Sequence, residues 1–221
     1  MDKLILYGNG RIAKIIYQFL KSDFDVVAFT VDKDLIEDTV IEDLPVIAFE
    51  EIQDKYPPSL FSMLITVGYV GMNAIRAQKY QQAKKKGYSF ITYTHPSVQK
   101  HDSVVLGENN VILDHVSIQP YAKIGNSNFI WSNAVVAHGC TVEDNCWITS
   151  GVSIAGDTVI RSKVFLGINA TIGHNITIED ETFIGANCLV TRSTNPKEVY
   201  ISRDAEKYRL DSQRFLQFSG V

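Results

Sequence analysis

Residues 136–160 read VAHGCTVEDNCWITSGVSIAGDTVI, and an aliphatic side chain returns at every sixth position: Val136, Val142, Ile148, Ile154 and Ile160. The same register runs outward without a break, back to Leu106 and Ile112 and on to Ile184 and Val190. A helix repeats every 3.6 residues and a strand every two, so neither alone accounts for a period of six. The period is the mark of a parallel β-helix, in which each hexad forms one flat side and three hexads complete a coil.

Positions two before each aliphatic point inward by strand alternation. They are mostly small or β-branched: Val104, Val116, Ala122, Ala134, Cys140, Cys146, Val152, Val164, Ala170 and Cys188. All three cysteines fall in this set, so they read as small buried hydrophobes rather than reactive thiols. Their odd number, without zinc-ligand spacing, also argues against a disulfide framework or a structural metal. Three positions after each aliphatic the chain must turn a corner. Asn109, Asn133, Gly139, Asn145, Gly151, Asp157, Asn169, Asn175 and Asn187 stand there, residue types that tolerate a left-handed backbone.

Eighteen residues per coil place positions eighteen apart on neighbouring coils, about 4.8 Å from one another. Pro120, His138, Gly156, His174 and Arg192 then form one outward column. In it His138 stands one coil from a glycine amide. A base beside a main-chain donor is what acyl transfer needs: imidazole removes a proton from the attacking group while an N–H holds the oxyanion. On spacing alone, a solvated surface histidine is the simpler reading.

Ahead of the repeat, KLILYGNG (residues 3–10) is an apolar run ending in glycine. RIAKIIYQFLK (11–21) follows with Ile12, Ile15, Ile16, Phe19 and Leu20 at helical spacing. Gly8, Gly10 and Ala13 match part of the dinucleotide fingerprint, in which glycines let the backbone approach a phosphate at a helix start. A second run, DVVAFTVDK (25–33), reaches Asp32 about where that pattern places an acidic residue against a ribose. Glycines that merely close a strand–helix turn explain the fragment equally well. FSMLITVGY (61–69) reads as a further strand and GMNAIRAQKYQQAKKKG (71–87) as a helix with a solvated lysine-rich face. YSFITYTHP (88–96) reads as a last strand stopped by Pro96. Alternating strands and helices imply a small parallel sheet, too short for two mononucleotide-binding halves and so suited to a nucleotide moiety rather than NAD.

The chain has 221 residues, 45% of them hydrophobic, and a formal net charge of −4. That supplies no broad basic field for nucleic acid or an anionic membrane and favours a small-molecule ligand. The first residues show no secretory leader, and no later run is long enough to span a bilayer, so the expectation is a cytoplasmic protein.

The repeat resembles the left-handed β-helix of the hexapeptide acyltransferases over about residues 104–195. The whole chain looks like the sugar acyltransferase group that includes the bacillosamine-pathway N-acetyltransferase and the sialic-acid O-acetyltransferase. The expected architecture is a small Rossmann-like α/β domain over 1–95, a left-handed parallel β-helix over 96–200, and a C-terminal cap over 201–221 packed on the coil. The resemblance implies an acetyl-CoA-dependent N-acetyltransferase of a UDP- or dTDP-linked amino-dideoxy sugar, working as a homotrimer without a metal. By that resemblance His138 is the general base and the Gly156 amide faces the thioester carbonyl. Gly8, Gly10 and Asp32 meet the nucleotide, and Gly156, Gly173, His174 and Ala186 line the acetyl-CoA path.

The sequence departs from that group in three places. Gly139 replaces the carboxylate that often follows the catalytic histidine, leaving Asn133 or Asp144 as the candidates to orient the ring. Trp147 replaces a second active-site histidine, and the tail over 202–218 replaces the usual ending. Sugar O-acetylation and a non-catalytic nucleotide-sugar-binding scaffold are the competing functions. A zinc site of the γ-carbonic-anhydrase kind is disfavoured within one chain, since His138 and His174 are two coils, about 9.6 Å, apart.

Overall fold

The computed structural model describes residues 3–219. The first unit contains β1 (Lys3–Tyr7), α1 (Arg11–Leu20), β2 (Asp25–Val31), β3 (Val40–Ile41), β4 (Leu44–Ala48), α2 (Ile52–Lys55), β5 (Ser62–Ile65), α3 (Ala74–Lys85) and β6 (Ser89–Phe90). Its sheet has the order β3-β4-β2-β1-β5-β6, parallel except at the β3–β4 edge. β1 is central and covered on both faces, so Leu4, Ile5 and Leu6 are all fully buried, which is why its sequence is a continuous apolar run. The order reverses between β1 and β5, and the carboxyl ends of strands at such a switch point open onto a crevice.

The chain leaves this sheet between Phe90 and Tyr93. The single strand expected over 88–96 is two short ones, β6 and β7 (Tyr93–Thr94), and β7 already belongs to the coil. From there three parallel sheets of seven, six and five strands form the walls of a triangular prism. The first face carries residues 111–112, 129–130, 147–148, 165–166 and 183–184. The second carries 117–118, 135–136, 153–154 and 171–172, and the third 123–124, 141–142, 159–160 and 177–178. Pairings between Tyr93 and Val190 all join residues eighteen apart, as in Val111 with Phe129, Val135 with Ser153 and Thr141 with Val159.

The repeat aliphatics and the small residues two before them fill the interior as one cluster, Cys140, Cys146 and Cys188 included. Burial raises the Cys140 thiol and pushes that of Cys146 up to about 12, consistent with a packing role. Asn110 and Asn128 also point inward, fully buried. The Asn110 side chain donates to the Gly125 carbonyl at 2.8 Å and accepts from the Asn128 amide at 2.8 Å, while Asn128 accepts from the Cys146 amide at 2.7 Å. This internal ladder satisfies backbone groups at the corner between the third and first faces.

All nine corner residues named from the sequence have positive φ, from Asn175 at 52° to Gly151 at 71°. His115, Tyr121, Ser127, Lys163 and Glu181 occupy the same register and conformation without being of the favoured types.

The outward residues of the first face are not solvated. Tyr93, Val111, Phe129, Trp147 and Phe165 are buried against the α1 side of the α/β unit, with Phe129 stacked on Trp147 at 4.7 Å. Trp147, at the position of the second histidine, is therefore a packing residue half a coil from His138 and on a different wall.

The expected packing of the tail on the coil is not observed. α4 (Ser212–Ser219) has no buried residue, and Tyr208 packs on Phe215 within the tail, ring centroids 5.3 Å apart. The coil is closed instead by a two-residue strand, Val199–Tyr200, paired with Phe183 and Ile184. No helix among the described residues is long and apolar enough to cross a membrane.

Candidate functional site

His138 lies on the corner between the second and third faces, and its side chain is exposed. The flanking strands pair Val136 with Ile154 and Thr141 with Val159, so the coil register sets His138 over Gly156. An ideal Cβ on Gly156 would stand 2.5 Å from His138 Nε2 and 2.7 Å from Cε1. The imidazole thus occupies the room the glycine leaves and buries it. The Gly156 N–H has no hydrogen-bond partner among the described residues, while its carbonyl accepts the Asn175 amide at 3.0 Å. Below, Gln119 Oε1 accepts the His138 amide at 3.2 Å. The corner therefore brings the ring nitrogen of an exposed histidine beside an uncommitted main-chain donor on the buried Gly156.

Neither residue expected to orient the ring does so. Asp144 Oδ1 accepts the Asn126 amide at 2.6 Å and its side-chain nitrogen at 3.2 Å, at the corner between the third and first faces. Asn133 stands at the corner between the first and second faces, one wall away.

Gly173 and His174 continue the His138 corner one coil beyond Gly156. Gly173 is tightly placed, since a Cβ there would come within 3.1 Å of the Thr191 Cα. Ala186 is separated from them by the second face. It is exposed at the next corner, and its carbonyl accepts Ser202 Oγ at 2.8 Å.

Gly8, Gly10 and Asp32 come together at the switch point, where they line a cavity of about 750 Å³. Gly8 has φ +131°, and a Cβ on it would meet Thr66 Oγ1 at 3.1 Å, so glycine is required by backbone and neighbour alike. Gly10 is different: nothing lies within 4 Å of its Cβ position, which faces open space. It caps α1, whose first turn has no side-chain cap and no acidic residue, leaving amide donors suited to an anion. Asp32 is already engaged, accepting Tyr7 Oη at 2.6 Å and Lys79 Nζ at 2.5 Å. Burial opposes its ionisation, but those two donors and the Lys79 charge outweigh it and hold the carboxyl below its usual value. A carboxylate has acceptor positions beyond these two.

The sequence did not single out the cavity's other wall. Thr66, Val67, Gly68, Tyr69 and Val70 follow β5, and Lys79 comes from α3. The Tyr69 ring packs on Trp147 and Phe165, centroids 5.4 and 4.8 Å away, tying the cavity to the first face of the coil. The cavity and His138 therefore lie on opposite sides of the prism. Among the described residues no three His, Cys, Asp or Glu side chains cluster so as to hold a metal ion.

The six-residue repeat is also matched by a family model: residues 121–156 and 157–192 each match bacterial transferase hexapeptide (six repeats). Among solved structures, the chain is similar to perosamine N-acetyltransferase from Caulobacter crescentus, in a histidine-to-asparagine variant complexed with CoA and GDP-perosamine. Identity is 24% over 90% of this chain and 93% of that one, with a TM-score of 0.81. It is also similar to the acetyltransferase domain of PglB from Neisseria gonorrhoeae FA1090, 20% identical over 90% of this chain and 96% of that one, TM-score 0.79. The same domain in complex with acetyl coenzyme A matches at 21% identity over 86% and 92%, TM-score 0.74. These likenesses show the fold: a small α/β unit followed by a left-handed parallel β-helix.

Proposed function

We propose that the protein is an acetyl-CoA-dependent N-acetyltransferase acting on a nucleotide-linked amino sugar. The observation that carries this reading is the His138 imidazole seated on Gly156 beside an N–H that has no hydrogen-bond partner among the described residues. His138 Nε2 takes the proton of the attacking amine as nitrogen bonds to the acetyl carbonyl carbon. The Gly156 N–H stabilises the resulting oxyanion. The carbon–sulfur bond then breaks, and the departing thiolate of coenzyme A takes the proton from the imidazolium. Gly173 and His174 continue the same corner and, in this reading, line the pantetheine arm.

The cavity at Gly8, Gly10 and Asp32 is of a size to take a nucleotide, with the diphosphate at the uncapped start of α1. The similar structures were solved with CoA and GDP-perosamine or with acetyl coenzyme A, which supports both the donor and a nucleotide-linked amino sugar. The carrier is taken as a nucleoside diphosphate, with GDP joining UDP and dTDP among the candidates.

The cavity packs against the first face, whereas His138 sits at the corner opposite that face. A sugar nucleotide held in one chain's cavity therefore has to meet His138 of another copy, which supports a symmetric oligomer, a trimer in this reading.

The test is thiol release from acetyl-CoA against a panel of GDP-, UDP- and dTDP-linked amino sugars, with His138→Ala as control. Turnover that needs both substrates and His138 is expected. Full turnover by His138→Ala, or none with any amino sugar, would overturn the proposal.

A further inference from the structure

The cavity at the switch point runs across the sheet from one face to the other. At one end Tyr7, Asp32 and Lys79 are joined by hydrogen bonds, and Tyr7 belongs to the apolar cluster on the α3 side. At the other end stands Tyr69, whose ring packs on Trp147 and Phe165, both members of the cluster on the α1 side and outward residues of the coil. Gly10, at the uncapped start of α1, lines the same cavity. A sugar nucleotide has its diphosphate in the middle, with the nucleoside on one side and the hexose on the other. With the diphosphate on the first amides of α1 and the ribose hydroxyls donating to Asp32, the hexose is directed to the Tyr69 end.

Tyr69 is 51% exposed, whereas Trp147 and Phe165 against it are only 3% and 8% exposed. Part of the ring is thus committed to the coil, and the rest is open to the cavity. The wall to which it belongs, residues 67–70, carries no charged side chain. It therefore offers hydrocarbon and an aromatic face, whose negative potential suits the C–H groups of a pyranose.

The ring is also held in place. Gly71, Met72 and Asn73 are successively left-handed, with φ of 60°, 51° and 65°, and turn the chain back so that the Asn73 amide donates to the Tyr69 carbonyl at 3.2 Å. Asn73 Nδ2 donates to the Lys163 carbonyl on the coil at 3.1 Å, and Arg76 Nη1 donates to the Gly68 carbonyl at 3.3 Å. The chain on both sides of Tyr69 is therefore fixed. A contact surface ordered in advance loses little freedom when a ligand arrives.

We propose that Tyr69 is the platform on which the hexose of the sugar nucleotide lies, its pyranose C–H face against the open part of the ring. The inference rests on the reading of this cavity as a nucleotide-sugar site and assigns the hexose end of it.

The experiment is isothermal titration calorimetry of GDP, UDP and dTDP, and of GDP-mannose, UDP-glucose and dTDP-glucose, into wild type, Tyr69→Ala, Tyr69→Leu and Tyr69→Phe. Leucine keeps an apolar contact with Trp147 and Phe165 but removes the aromatic face, which separates loss of the platform from collapse of the loop. For the carrier that binds, Tyr69→Ala and Tyr69→Leu are expected to weaken the hexose conjugate about three- to tenfold and to leave the free diphosphate within about twofold of wild type, while Tyr69→Phe keeps wild-type affinity for both. An equal loss for conjugate and free diphosphate would assign the ring to the nucleoside or the loop and overturn the proposal. So would unchanged binding of the conjugate. Failure of the wild type to bind any of the three diphosphates overturns the nucleotide reading of the cavity, and the role of Tyr69 with it.

Discussion

The Arg76 guanidinium, on α3 of the α/β unit, lies 5.4 Å from the centroid of the Trp147 ring on the first face of the coil. Arg76 is fully buried without a carboxylate. Its Nε donates to the Ser127 carbonyl at 3.1 Å, its Nη2 to the Asn145 and Cys146 carbonyls at 2.8 and 3.1 Å, and its Nη1 to Asn73 Oδ1 at 2.9 Å. Burial pulls its pKa down to about 9, which leaves it charged at neutral pH. One cation therefore joins the loop that walls the cavity to two successive coils.

Arg76→Met keeps much of the volume and removes every one of these donors. Hydrogen bonds from a charged group and the carbonyls left unpaired make a loss of about 2–4 kcal/mol the expected cost. Thermal unfolding should drop by several degrees, and the effect should exceed that of Lys33→Met, which breaks an exposed pair with Glu51. Equal melting temperatures for the two variants would contradict the role given to Arg76.

Gly156→Ala separates chemistry from stability. The added methyl meets the His138 ring rather than backbone, so the imidazole must swing away while the coil keeps its register. Circular dichroism and melting should stay close to wild type, with kcat falling roughly 10²–10⁴-fold, the worth of a general base. A kcat within a factor of two of wild type would show that the ring's seat on Gly156 is not needed.

Gly8 and Gly10 should respond differently. Gly10→Val places its side chain in open space within the cavity, so KM for the sugar nucleotide should rise while KM for acetyl-CoA and the melting temperature hold. Gly8→Ala meets Thr66 at a φ suited to glycine and should lose about 1–3 kcal/mol of stability. At a sugar-nucleotide concentration far below the raised KM of Gly10→Val, mixing unfolded His138→Ala and Gly10→Val chains and refolding them together should give turnover above either alone, because some sites then pair an intact cavity with an intact base. No recovery would argue that both halves of the site come from one chain.

Tyr7, Tyr80 and Tyr88 have pKa values raised above 10 by burial, those of Tyr80 and Tyr88 to about 12. The unfolded chain loses these protons first, near pH 10, so the native state binds more protons across the window from 10 to 12. The stabilisation is complete below pH 10 and is lost as pH rises through the folded values. Absorbance of tyrosinate should show a subset of the ten tyrosines ionising only together with the loss of circular dichroism. Ionisation of all ten near pH 10 in a folded protein would refute the burial assignment.

His115 carries a left-handed backbone, φ 58°, at an exposed corner where asparagine is the commoner choice in this chain. His115→Asn should stabilise by about 0.5–1 kcal/mol, measured by urea unfolding at constant slope. A loss of stability would mean that the imidazole makes a contact worth more than the backbone relief.

The coil was legible because its period is set by geometry. Each aliphatic from Ile112 to Val190 had to face one interior, and Asn or Gly had to relieve most corners. Tyr121 and Lys163 show the limit: residue type does not reveal a corner when the register alone imposes it. Arg76 was hidden for a different reason, since a cation in a lysine-rich helix gives no sign of burial until the coil's carbonyls are brought against it. Trp147 resembled a departure at the catalytic centre, yet it is a docking residue, because nine positions along an eighteen-residue coil is the far wall. The His138 and Gly156 pairing followed from the period.

The uniform eighteen-residue register also limits how such a chain can lengthen or shorten over evolutionary time. Loss or gain of one residue inside a wall turns every later aliphatic toward water, whereas adding a whole circuit beyond Arg192 leaves the neighbours of His138 as they were. Natural variants of this chain should therefore differ in height by complete circuits, with the corner at His138 kept at a constant distance from the α/β unit.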